Sequence, residues 1–130
     1  MGQYFVAVNL DKKEVFEPKY YKLCEIFDNV MFLRGLVYLL ATPETDGTCF
    51  DELRGQLKYF GRWAGDRVML YGDYAPEEFK KMVGEEWSIL GEEYRGSEYR
   101  NITGELMSEL KNVLEVCGFN RINPKGDEND

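Results

Sequence analysis

The first patterned run is Tyr4 to Leu10, apolar at every position but Asn9. Tyr4, Val6, Val8 and Leu10 share one side, with Phe5 and Ala7 on the other. A period of two marks a strand, and two largely apolar faces mark an interior one. Asp11-Lys12-Lys13 is a polar turn, and Glu14-Val15-Phe16-Glu17 returns as a second strand before Pro18, giving a hairpin. The period then lengthens. Val30, Leu33, Val37 and Leu40 recur at helical steps, with Asp28 or Asn29 placed to cap and Pro43 placed to stop, which predicts a helix to Ala41. This helix is apolar nearly all round, so it is expected to be central and covered, with those four residues as its core stripe. Phe50, Leu53, Leu57 and Phe60 keep helical spacing and predict another helix over 50–60.

The run Val68 to Tyr71 reads as a short buried strand held between two turns, Gly65-Asp66 and Gly72-Asp73. Pro76 suits a first helical position. Phe79, Val83, Trp87, Leu90 and Tyr94 follow at steps of three and four, and Gly84 and Gly91 within them allow one bent helix or two shorter ones. After a loop over 95–101, Thr103 is expected to cap a last helix with Leu106, Leu110, Val113 and Leu114 inward and Gly118 as its stop. Phe119 to Asn123 predicts a final strand. The resulting fold class is α+β, as a single compact domain over 1–123 with a polar tail over 124–130. Its sheet is mixed or mainly antiparallel, built from the N-terminal hairpin, a central strand over 67–72 and the strand 119–123, and packed against helices.

Composition narrows the chemistry. The 130 residues carry 24 acidic and 16 basic side chains, a net charge of −8. That balance disfavours nucleic acid, which calls for a basic face, and disfavours anionic membranes. The longest apolar run, Val30 to Ala41, is interrupted by Arg34 and Gly35 and is too short to span a bilayer. The chain has no histidine, so Ser-His and Cys-His nucleophiles and His metal ligands are excluded. Cys24, Cys49 and Cys117 form no CxxC pair, so a thiolate zinc site is not expected. No cofactor is expected from the sequence. Sparse cysteines without a recognisable leader point to reduced, buried thiols in a cytoplasmic protein. A thermophile-like excess of Glu over Gln leaves a pairing of two of the three open.

Two groups of segments carry a resemblance. Met1-Gly2-Gln3-Tyr4 with Asn9-Leu10-Asp11-Lys12-Lys13-Glu14, and Arg62-Trp63-Ala64-Gly65-Asp66-Arg67-Val68 with Gly72-Asp73-Tyr74-Ala75, resemble the motifs of a family of small proteins from bacteria, archaea and their viruses. The motifs lie within the first 17 residues and positions 61–75. No activity is attached to that family, so the resemblance implies a shared fold and transfers no catalytic residue.

Candidate site residues cluster around the same motifs. Asp66 and Asp73 cannot act as a pair, because seven residues of strand hold them about 23 Å apart, well beyond a glycosidase spacing. Taken singly, each suits a turn. Asp73 and Tyr74, at the strand's end before a helix, mark the corner most suited to a ligand. Asn9, Asp11 or Glu14, brought beside Asp66 or Asp73, would form a carboxylate cluster able to bind Mg²⁺ or Ca²⁺. Arg34 is the lone charge of its helix and either reaches water or pairs with Asp66 or Asp73; Arg67 can pair with a neighbouring acid. Trp63 is either core or a stacking platform beside Arg62. The interleaved Tyr94-Arg95 and Tyr99-Arg100 suggest base stacking, opposed by the Glu pairs nearby. The leading expectation is a non-catalytic protein that binds a protein or small-molecule partner through the Gly-Asp corners and exposed aromatics, with self-association open. The alternative is a small carboxylate-dependent or metal-assisted hydrolase.

Overall fold

The computed structural model describes residues 4–17, 22–72, 74–84 and 98–119. Over these residues the chain is α+β, with a mixed four-stranded sheet and helices. Backbone contacts gather it into two compact units, one within Met1–Leu33 and Gly65–Thr103, the other within Arg34–Ala64 and Gly104–Asp130.

The first unit holds the sheet. β1 (Phe5–Asn9) and β2 (Glu14–Phe16) form the expected antiparallel hairpin, pairing Ala7 with Phe16, Val8 with Val15 and Asn9 with Glu14. Lys13 closes the turn with φ 58°. β3 (Val68–Gly72) lies antiparallel along the other side of β1, so β1 is interior, as its two apolar faces require. Among the described residues the strand order is β3-β1-β2-β4, which puts β3 at the edge. The expectation of a buried central strand over 67–72 is therefore corrected. Tyr71 and Gly72 are buried, Val68 and Met69 half-buried, and Leu70 exposed. A short apolar run does not tell an edge strand from an interior one.

The fourth strand comes from within 95–101, where the sequence predicts a loop. β4 (Arg100–Asn101) runs parallel to β2, with Arg100 N–H donating to the Lys13 carbonyl and Ile102 N–H to the Val15 carbonyl. Two residues carry too little periodicity to be seen in sequence. The predicted strand 119–123 lies outside the described residues beyond Phe119. One face of β1 and β2 presents Val6, Val8, Leu10 and Val15 to Tyr71, Val83 and Tyr99. On the other face Phe16 stacks on Phe32 with ring centroids 4.6 Å apart.

Three helices belong wholly or partly to this unit. α1 (Leu23–Ile26) is a single turn, with the Glu25 carboxylate accepting from the Lys22 N–H. α2 (Val30–Leu40) starts at Asn29, whose Oδ1 accepts from the Phe32 N–H at 3.0 Å. α3 (Glu77–Val83) begins after Pro76, which takes the capping position rather than the first helical one. It stops at Gly84, where φ is 123°. The continuation through Trp87, Leu90 and Tyr94 lies outside the described residues.

The second unit is built on the C-terminal half of α2, the loop to Ala64, and α4 (Thr103–Val116). Leu106, Leu110 and Val113 of α4 are buried and Leu114 half-buried, on the face predicted. Gly118, at φ 87°, ends the helix as expected: its N–H donates to the Glu115 carbonyl, and the Phe119 N–H to that of Leu114. Thr103 is not the cap. Asn101 Oδ1 accepts from the Thr103 N–H, and the Thr103 hydroxyl accepts from the Glu17 N–H.

The predicted helix over 50–60 reduces to a 3₁₀ turn, Asp51–Leu53. Gly55 at φ 87° takes the chain out of helical geometry. Phe50 and Phe60 keep a structural role, forming an aromatic cluster with Tyr38 at centroid distances of 5.1–6.2 Å. Gly61 (φ 71°) and Trp63 then donate their N–H groups to the Tyr38 and Leu39 carbonyls, closing the end of α2. A Cβ on Gly61 would lie 2.6 Å from the Ala41 carbonyl oxygen, so only glycine fits.

Cys49 and Cys117 form a disulfide that ties this loop to the end of α4, with Cα atoms 5.5 Å apart. It is one of the pairings the sequence left open. Cys24 is free and exposed, contrary to the expectation of a buried thiol. No helix among the described residues is long and apolar enough to cross a membrane.

Candidate functional site

The two motif segments meet at one corner of the sheet. The β1–β2 turn follows Asn9, and the chain enters β3 from Asp66 and Arg67, with the Leu10 N–H donating to the Arg67 carbonyl at 2.8 Å. Asn9 is fully buried and both ends of its amide are used. Nδ2 donates to Asp66 Oδ2 at 2.9 Å, and Oδ1 accepts from the Lys12 N–H at 2.7 Å. The Lys12 ammonium reaches the same Asp66 oxygen at 2.6 Å.

Asp11 lies beside them and accepts from both the backbone N–H and the Nε of Arg67, at 2.7 and 2.9 Å. Those two hydrogen bonds hold its carboxyl below the usual carboxylate value, against the opposing charge of Asp66. Glu14, opposite Asn9 in the ladder, is buried, with the half-exposed Arg100 guanidinium 3.5 Å from its carboxylate. Asp11 and Asp66 are thus brought together, as a braced corner in which each carboxylate already accepts from a basic residue.

The remaining candidates are scattered. Trp63 is completely buried in the second unit, so it offers no platform to a ligand. An indole has enough apolar area to make core the better use wherever the chain can enclose it. Arg34 is half-buried on α2, and Tyr74 is exposed. Asp73 lies outside the described residues. Tyr99 is buried, with its hydroxyl donating to the Val83 carbonyl at 3.0 Å, so it cannot stack on a base. Among the described residues, no three acidic or cysteine side chains stand together so as to hold a metal ion.

Sequence reasoning missed a groove of about 540 Å³ in the second unit, lined by Leu57, Lys58, Tyr59, Glu105, Ser108 and Glu109 among others. The Glu109 carboxylate accepts from the Lys58 and Tyr59 N–H groups, at 2.8 and 2.9 Å, and from the Tyr38 hydroxyl at 2.7 Å. Glu105 accepts from the Tyr59 hydroxyl. Burial first, then Glu109, pushes the Tyr38 phenol well above its ordinary value. Glu105 and Glu109 are four apart, so the shared helix face was visible in sequence. Their partners were not, because the spacing of Phe50, Leu53, Leu57 and Phe60 predicts helix over 57–60.

The second surface missed is on α2. Val30, Leu33, Val37 and Leu40, the expected core stripe, are 38%, 39%, 69% and 43% exposed. The helix buries Phe32, Gly35, Tyr38 and Leu39 instead. An all-round apolar helix gives periodicity no single face to select. The rings that stack on Phe16 and reach Glu109 decide the matter. Phe27, just before the helix, is also 69% exposed. Comparison of the chain with family models, curated proteins and solved structures finds no match.

Proposed function

We propose that this protein acts by binding rather than by catalysis, as an interaction protein whose working surface is the outward apolar face of α2. The observation that carries this reading is the exposure of Val30, Leu33, Val37 and Leu40 along one side of a single helix. Exposed apolar surface that is contiguous rather than scattered marks an interaction site in a folded protein. The same reading is supported by the engagement of Asp11 and Asp66, two of the carboxylates that would have to act as acids or bases in the hydrolase alternative. The motif resemblance adds an expectation of shared fold only.

Two measurements on the intact protein test it. An anilinonaphthalene sulfonate dye added to dilute native protein is expected to fluoresce, and Val37→Asp is expected to remove at least half of the enhancement. Thermal shift with Mg²⁺, Mn²⁺, Ca²⁺ and Zn²⁺ is expected to give no saturable, metal-specific rise in Tm. A rise that disappears in Asp66→Asn would overturn the binding reading in favour of metal-assisted chemistry.

A further inference from the structure

We infer that the outward face of α2 pairs with the same face of a second copy of this chain, as a short parallel two-stranded coil; this rests on the reading of that face as a binding surface. Val30, Leu33, Val37 and Leu40 are spaced by three, four and three residues, which is the heptad seam. The first position of each repeat is a valine and the fourth a leucine. A β-branched residue at the first core position with leucine at the fourth favours two parallel strands over higher orders. The pattern is self-complementary, so the partner it fits best is itself.

Charge points the same way. The chain carries a net charge of −8, yet α2 contains no acidic residue and only one basic one, Arg34. Two like-charged molecules approach at least cost through the element free of their excess charge. Arg34 flanks the seam directly after Leu33. In a parallel pair it faces the partner's Asn29 position, whereas an antiparallel pair brings the two Arg34 side chains to the same flank. Two heptads are short, so the contact belongs at the weak end of protein interfaces, with a dissociation constant on the order of tens of micromolar.

Sedimentation of the full-length, oxidised protein from low micromolar to near millimolar concentration tests this. A concentration-dependent dimer is expected. Val37→Asp should weaken it at least tenfold and Val37→Ile should preserve it. Because Val37 stands in solvent, the aspartate leaves the core untouched; Leu40→Asp provides a second variant. In a Cys24→Ser background, Val37→Cys should cross-link to its own copy on oxidation, since the seam places Val37 against Val37. A dimer indifferent to both aspartate variants, or one that never cross-links through position 37, overturns the inference. A monomer at every concentration also overturns it. In that case, dye binding lost in Val37→Asp leaves the binding surface standing, and absence of dye binding removes both.

Discussion

At the sheet corner, Asn9 is fully buried and both ends of its amide are hydrogen-bonded; on the outer side of α2, Val37 has 69% of its surface in solvent. The corner contains the residues that look most like chemistry, two aspartates, a lysine and an arginine, and it uses them to lock a turn against a strand. The α2 face contains nothing reactive and is left open. A side chain's reactivity in isolation says little about its use. A buried carboxylate or amide must find partners as the chain folds, because leaving it without them costs more than the bond contributes. An apolar side chain left in water carries no such obligation, and it remains free to meet another surface.

The contrast predicts a graded set of stability effects. The largest should come from Glu109→Ala, which removes the acceptor shared by two backbone N–H groups and the Tyr38 hydroxyl. A loss of about 3 kcal/mol in denaturant unfolding is expected. Asn9→Ala should cost about 2 kcal/mol, because it strips a partner from Asp66 and from the Lys12 N–H at a fully buried position. A loss under half a kilocalorie for either variant would mean that water replaces the bracing, and the contrast with α2 would dissolve.

A smaller effect follows from Asp11. Its folded pKa is lowered, first by the Arg67 backbone N–H and then by the Arg67 side chain. Its contribution is therefore present above the unfolded value of 3.8 and is lost as pH falls below it. Asp11→Asn should flatten the acid limb of the stability curve below about pH 4. An unchanged limb would remove Asp11 from the bracing. The smallest effect is expected at the open face: Val37→Ser should alter the stability of dilute monomer by no more than about 0.5 kcal/mol. A large loss there would show that the face is packed after all.

Much of the first unit was legible because its signals are local. The alternation of Val6, Val8 and Leu10, the turn at Asp11-Lys12-Lys13, and the Asn29 cap each depend on a few adjacent residues. The failure at 50–60 has the opposite origin. Phe50, Leu53, Leu57 and Phe60 keep helical spacing, but Gly55 and Gly61 in left-handed geometry redirect the backbone, and the rings pack on Tyr38 instead. Of the candidate site, sequence put Asp11 and Asp66 on the correct turns. It could not show that Asn9, Lys12 and Arg67 would occupy them.

Sequence by itself determined the α+β class, the hairpin, the start of α2 and the inward face and stop of α4, because hydrophobic period and capping chemistry act within one or two turns of chain. Tertiary structure decided which side of α2 faces solvent, which cysteines pair, and which carboxylates are already occupied. Those outcomes depend on residues from separate elements meeting, as Phe16 meets Phe32, Asn9 meets Asp66 and Cys49 meets Cys117. No local pattern encodes such meetings, since each is fixed by the packing of the rest of the chain.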